Sequence, residues 1–253
     1  MRENSLLKRS LKSALSRTNA LLGSLDLQLV PRVNVLTFAS AVKRLKESGF
    51  TPAVVFDVGV AYGTPDLYNQ FRSAKYFLID PLPQSLPFMQ SWAKRLDATI
   101  HNVALGEAES ELKIDVRRDI GGSTFFRELG SAESIGMVSV PVRRFDSVFA
   151  ATQLQSPCLM KIDVQGAELR VLEGMGDLIR KVDVFIIEVS SIVTLDGGAA
   201  HMFEVIDFLR SKGFTVYDIG GIGRRPLDNA LAQLDVVFCK NSSGLISDRR
   251  WCA

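Results

Sequence analysis

The sequence predicts a doubly wound α/β sheet with a β-rich insertion and an N-terminal helical arm. From residue 53 onward, short apolar runs alternate with amphipathic stretches, the pattern of strands and crossover helices. Runs such as "VFIIEV" are apolar throughout, as strands covered on both faces are. The rhythm breaks at 110–143, where "ELKIDVRR" and "MVSVPVRR" read as two strands around the loop "DIGGSTFF".

Residues 1–52 form the arm. Leu7, Leu11, Ala14, Leu15, Leu21 and Leu22 fall at helical spacing, and Arg2, Lys8, Arg9, Lys12 and Arg17 make the opposite face basic. Such a helix either packs on the domain or a second subunit, giving a homodimer, or lies on an anionic membrane surface. A second helix is expected from Asn34, a suitable N-cap, to Gly49, a suitable C-cap, with Val35, Phe38, Val42 and Leu45 as its apolar stripe.

In the domain, 53–240, strands are expected at 53–58, 75–79, 98–103, 158–163, 183–189, 214–218 and 234–239. Helices are expected at 65–73, 85–96, 145–153, 167–180 and 200–212. Residues 241–253 form a tail.

Composition narrows the class. The chain has 253 residues, 47% hydrophobic and 23% charged, with a formal charge of +2. That charge is too small to suggest a nucleic-acid partner. Cys158, Cys239 and Cys252 make neither a disulfide framework nor a metal spacing, which suits a reducing, cytoplasmic compartment. The basic N-terminus has no uninterrupted apolar segment, so no signal peptide is expected, and no stretch of about 18 or more apolar residues occurs, so no membrane span is expected.

"VFDVGVAYGT", residues 55–64, sits where a doubly wound sheet binds its ligand, outside the carboxyl end of a strand. The dinucleotide fingerprint G-x-G-x-x-G is missing its second glycine, because Ala61 stands there. The pattern is instead Asp57-x-Gly59-x-x-x-Gly63, with an acid, Asp80, ending "YFLID". Asp80 is placed to accept both ribose hydroxyls. Asp57 is placed to meet an amino group, directly or through water. S-adenosylmethionine has a ribose, an amino group and a sulfonium but no phosphate, so it suits this pattern better than NAD.

"LMKIDVQGAELRVLEGM", residues 159–175, together with "FDVGVAYG", "LIDPLP" and "HNVALGE", resembles the FkbM-type family of S-adenosylmethionine-dependent methyltransferases. The resemblance spans about residues 53–240. It implies the class I methyltransferase fold, a Rossmann-like seven-stranded sheet with its last strand antiparallel. It also implies O-methylation of sugar hydroxyls or of polyketide-type natural products, a small-molecule or glycan acceptor, and S-adenosyl-L-methionine as cofactor. Matched residue by residue, Asp57, Gly59 and Gly63 form the first motif, and Ala61 stands where many members have asparagine. Asp80 replaces the usual ribose glutamate. Asn102, Val103 and Ala104 border the adenine, and Asp163 borders the methyl donor.

Glu188 ends an apolar strand, where an unpaired carboxylate is costly. Strands four and five are neighbours in this fold, so Asp163 and Glu188 are expected to face each other, either holding Mg²⁺ or orienting an acceptor hydroxyl. Asp163, Glu188 and Glu168 are the candidate bases, with His201 a weaker one and His101 expected to be packed. Gly121–Thr124 and the "GGIGRRP" segment with Arg224 and Arg225 are candidate acceptor loops. Pro157–Cys158 opens the fourth strand, at the wrong end for a nucleophile. Two other readings stay open: a non-catalytic cofactor-binding or assembly module of this fold, and an NAD-dependent oxidoreductase.

Overall fold

Alternate residues of the central strands face opposite ways, and both faces are covered, as the apolar runs require. The structure is a computed structural model that describes residues 18, 19, 22, 35–130, 133–248 and 250. The chain divides into two compact units, 1–36 and 37–253. In the first, Thr18, Asn19 and Leu22 are helical. The rest of the basic helix, like the expected cap at Asn34, lies outside the described residues.

In the second unit, β1 (Val54–Val58), β2 (Lys75–Ile79) and β3 (Asp97–His101) are followed by β8 (Cys158–Ile162), β9 (Val184–Ser190), β11 (Phe214–Arg224) and β12 (Leu231–Lys240) in one seven-stranded sheet. Its order is β11-β12-β9-β8-β1-β2-β3, and β12 runs antiparallel to both neighbours. This is the class I methyltransferase order with its inserted last strand. The strand order reverses between β1 and β8, which makes the carboxyl ends of those strands the switch point.

Phe56, Phe77, Met160, Phe185, Ile187 and Phe238 face one core with helices Phe145–Val148, Glu168–Glu173 and Met202–Ser211. Val55, Tyr76, Leu159, Ile186 and Val237 face the other with Phe38–Glu47, Pro65–Gln70 and Leu86–Ala93. Each fully buried phenylalanine contributes about 1.5–3 kcal/mol of transfer free energy.

The helix expected to start at Asn34 begins at Phe38. Its cap is Thr37, whose Oγ1 accepts the Ser40 N–H at 3.2 Å. It ends as expected, with Gly49 at φ +87°. Phe38–Glu47 packs on β11 and on helix Pro65–Gln70, so it belongs to the second unit. The single helix expected at 167–180 stops at Glu173 and resumes as a 3₁₀ segment, Gly176–Lys181. Gly176, at φ +52°, breaks it.

The insertion forms a separate sheet. β5 (Ser110–Arg117) and β7 (Ser134–Arg143) pair antiparallel, and β4 (Ala104–Leu105) joins β7 in parallel. Ile114, Val116, Ile120 and Val140 form its core with Leu82. A further short pair joins β6 (Arg127–Glu128) to β10 (Leu195–Asp196). "GGIGRRP" does not follow a strand. Most of it is the end of the long, bulged β11.

Candidate functional site

The turn after β1 is held from below by Asp57. This carboxylate is fully buried. Its Oδ2 accepts from the Thr64 hydroxyl at 2.9 Å and from the Tyr68 hydroxyl, and its Oδ1 pairs with Lys161 Nζ at 3.3 Å. Burial first, then Asp57, pushes the Tyr68 phenol above its ordinary range. Asp57 itself does not line the cavity above the turn. Its charge is used to brace the turn and to hold Lys161.

Lys161 is the keystone of this network. Nζ also donates to Gly59 O at 2.9 Å and pairs with Asp163 Oδ2 at 3.4 Å. Burial opposes its charge, but Asp57 and Asp163 overcome that and raise its pKa.

Packing alone demands glycine at both positions, and both also line the cavity above the turn. A Cβ on Gly59, at φ +81°, would fall 1.8 Å from Asp163 O, and one on Gly63 2.1 Å from the Trp92 indole nitrogen. Between them Ala61 takes a left-handed φ of +46°. That conformation turns its N–H onto Asp80 Oδ2 at 2.8 Å, while Leu82 N donates to Oδ1 at 2.9 Å. Burial raises the Asp80 pKa and the two N–H bonds oppose this. A carboxylate has about four acceptor sites, so each Asp80 oxygen keeps one for a ligand.

Above this turn lies a cavity of about 410 Å³. Asp80, Leu82, Val103 and Ala104 line one side, and Asp163, Gln165, Glu188 and Asp235 another. The insertion contributes Ile114, Ile120, Gly121, Ser123, Thr124 and Phe125, so the "GGST" loop lines the cavity through Gly121, Ser123 and Thr124. Asn102 does not line the cavity. Its Nδ2 donates to Asp80 O at 2.8 Å and secures the loop carrying Asp80.

The structure brings Asp163 and Glu188 together through Gln165. Its Nε2 donates to Asp163 Oδ1 and to Glu188 Oε2, both at 3.0 Å, and Gln233 Nε2 donates to the same Oε2 at 2.9 Å. Burial, then Asp163, Glu168 and Asp235, pushes the Glu188 carboxyl up to about 9. Gln165 is left-handed at φ +53°, and its carbonyl accepts from Thr124 Oγ1 at 2.9 Å. It thus ties the insertion to the carboxyl pair. Sequence reasoning missed Gln165, Gln233 and Asp235. Asp235 carries the same signal as Glu188, an acid inside an apolar strand, and stands opposite it in the β9–β12 register.

Glu168 turns away from the cavity. Its Oε1 accepts Val164 N and Gly166 N, both at 3.1 Å, so it braces the loop after β8. Burial raises it to about 7 against those bonds. His201 is an N-cap: Nδ1 accepts the Phe203 N–H at 3.2 Å, and Nε2 meets Ser191 O at 2.9 Å. His101 packs between Phe77 and Phe149, and burial lowers its pKa. Arg225 pairs with Asp228, Arg224 donates to Asn229 O, and neither lines the cavity. Cys158 is buried at the start of β8, its thiol pushed up to about 12 by burial.

Among the described residues, no group of three or more His, Cys, Asp or Glu is arranged to hold a metal ion. The donor set between Asp163 and Glu188 does not fit Mg²⁺, because an amide N–H of Gln165 donates to both carboxyls where a cation would have to be coordinated. No helix of the described residues is long and apolar enough to cross a membrane.

The model of the methyltransferase FkbM domain matches residues 57–216. No curated protein matches the chain. Among solved structures, the precorrin-6y C5,15-methyltransferase of Geobacter metallireducens is similar at 11% identity and a TM-score of 0.42, covering 79% of this chain and 87% of that one. The 1,6-didemethyltoxoflavin-N1-methyltransferase of Burkholderia thailandensis is similar at 16% identity and a TM-score of 0.41, covering 94% and 89%.

Proposed function

Because the chain belongs to the FkbM methyltransferase family, we propose that it is an S-adenosylmethionine-dependent O-methyltransferase acting on a hydroxyl of a sugar, glycan or natural-product acceptor. The observation that carries this reading is the two-sided cavity, with Asp80 beside the apolar Leu82, Val103 and Ala104 on one side and the Asp163–Glu188 carboxyl pair on the other.

The residues present fit this cofactor better than a dinucleotide. A pyrophosphate would need helix N–H groups or a free cation. Helix Pro65–Gln70 begins instead with Pro65, which has no N–H, and Asp66, which repels phosphate. Among the described residues, Lys161 is the one Lys or Arg lining the cavity, and it is held by Asp57 and Asp163. Asp80 would accept from the ribose hydroxyls, and Leu82, Val103 and Ala104 would border the adenine. The bound cofactor supplies an electrophilic methyl group on a sulfonium.

The protein's own contribution is alignment and proton management. Lys161 and Gln165 hold Asp163 at the edge of the cavity, where a carboxylate can take the proton of a hydroxyl as it attacks. The insertion loop, tied down by Thr124, limits how an acceptor can lie.

Calorimetric titration with S-adenosylhomocysteine and with NAD, on wild type and on Asp80→Asn, tests the reading. The asparagine keeps an oxygen for one of the two turn N–H groups, sets its amide NH₂ against the other and loses the charge. Binding of S-adenosylhomocysteine, weakened by about 1.5–3 kcal/mol in the variant, is expected, roughly tenfold to a hundredfold. Binding of NAD alone, or of neither ligand, overturns the reading.

A further inference from the structure

Glu188 is held in an unusual way for a catalytic base. Both of its hydrogen-bond donors, Gln165 Nε2 and Gln233 Nε2, converge on Oε2. An amide N–H only donates, so Oε2 is the acceptor oxygen of the group. Among the described residues no hydrogen bond reaches Oε1, and Glu188 lines the cavity.

Three of the charges around it are carboxylates. Asp235 of β12 stands directly opposite in the antiparallel register. Asp163, at the end of β8, is joined to it through the Gln165 amide, and Glu168 bears on it from the following helix. Among the described residues the nearby cation is Lys161 of β8, and it is shared between Asp57 and Asp163. Like-charged carboxylates this close, in a half-buried site, do not all ionise. The proton they retain is assigned to Glu188, whose Oε1 receives no hydrogen bond among the described residues, whereas Asp163 is paired with Lys161.

We propose that Glu188 serves as a neutral hydrogen-bond donor, its Oε1–H directed at the acceptor, while Asp163 takes the proton of the attacking hydroxyl and Gln165 and Gln233 are positioning residues that keep the Glu188 proton on Oε1. This rests on the methyltransferase reading of the cavity. The step balances: the hydroxyl proton passes to Asp163, the oxygen bonds to the methyl carbon, and the pair of the broken carbon–sulfur bond stays on sulfur. The acceptor class follows from the two roles. One hydroxyl gives up a proton to Asp163, and a second oxygen accepts from Glu188, so the acceptor carries neighbouring oxygens, as a vicinal diol does.

The test is a pH titration by NMR of protein labelled with ¹³C at the glutamate δ-carbons, with Glu188→Gln assigning the resonance. Parallel calorimetry uses S-adenosylhomocysteine. Glu188 is expected to be protonated at pH 7 and to titrate above it. Gln233→Leu is expected to move that midpoint upward, because the ionised form loses a donor it needs more than the neutral form does. Ionisation of Glu188 below pH 6 overturns the proposal, and an unmoved midpoint in Gln233→Leu removes the positioning role of that residue. Failure of the wild type to bind S-adenosylhomocysteine overturns the cavity reading, and with it the role in transfer, whatever the titration shows.

Discussion

Lys161→Met removes one ammonium group and nothing else of comparable size, so it isolates the network beneath the site. In the native protein Asp57 is completely buried, and Nζ is the cation that faces its Oδ1. The variant leaves the Thr64 and Tyr68 hydroxyls on Oδ2 but strands the negative charge in an apolar core. Removing one partner of a buried ion pair costs about 3–5 kcal/mol. Loss of the bond to Gly59 O adds about 1 kcal/mol. Against a typical total of about 5–15 kcal/mol, the variant should still fold but with a much lower urea midpoint. Adding Asp57→Asn removes the stranded charge, and the double variant should recover about 1–3 kcal/mol relative to the sum of the single changes. Urea denaturation followed by far-ultraviolet circular dichroism measures all four corners of the cycle. A Lys161→Met cost below about 1 kcal/mol, or strict additivity, would falsify the view that Lys161 is held chiefly by Asp57.

Further outcomes follow from the same geometry. Gly59→Ala is expected to abolish binding of S-adenosylhomocysteine, because its Cβ would overlap the Asp163 carbonyl and φ is +81°; unchanged binding in calorimetry would show that the turn can shift freely. Ala61→Gly is expected to be neutral or stabilising, since relief of a left-handed alanine, about 1 kcal/mol, offsets the entropy of an added glycine; a loss above about 1 kcal/mol in urea denaturation counts against the strain. His201→Ala is expected to cost about 1 kcal/mol of stability as a lost cap while leaving the S-adenosylhomocysteine affinity intact; weakened affinity would restore His201 to the site. Glu188 and Glu168 have folded pKa values raised above their ordinary 4.5, so they favour the folded state most when protonated. That stability is fully present below about pH 4.5 and is lost as pH rises, through about 7 for Glu168 and about 9 for Glu188. Wild type should therefore lose stability relative to Glu188→Gln between pH 5 and 9, and parallel curves would show Glu188 to be ionised throughout.

What was legible in the sequence was what lies close along the chain. The spacing of Asp57, Gly59, Gly63 and Asp80 located the turn, and the all-apolar runs located the covered sheet. What the turn residues do was not legible, because the obstacles to a Cβ at Gly59 and Gly63 are Asp163 and Trp92, distant in sequence. Glu168 was placed on the right helix but on the wrong side of the loop. Its two backbone donors, Val164 and Gly166, depend on the left-handed Gln165 between them, a conformation that residue type does not announce.

The carboxyl cluster shows the same limit more sharply. Strand alternation places Gln233 and Asp235 on one face of β12, and Glu188 on one face of β9, with nothing to say that the faces coincide. They coincide because β12 inserts antiparallel between β9 and β11, which sets Asp235 against Glu188. Parallel crossovers alone would leave Glu188 at a sheet edge, free to ionise into water. The inserted strand closes that edge and brings a second acid and an amide with it. The topology that defines the fold class thus also places the like charge that, after burial, pushes the Glu188 carboxyl up. Under the proposal above Glu188 is a neutral donor and not a charged base, and the acid that argues for this lies in another strand.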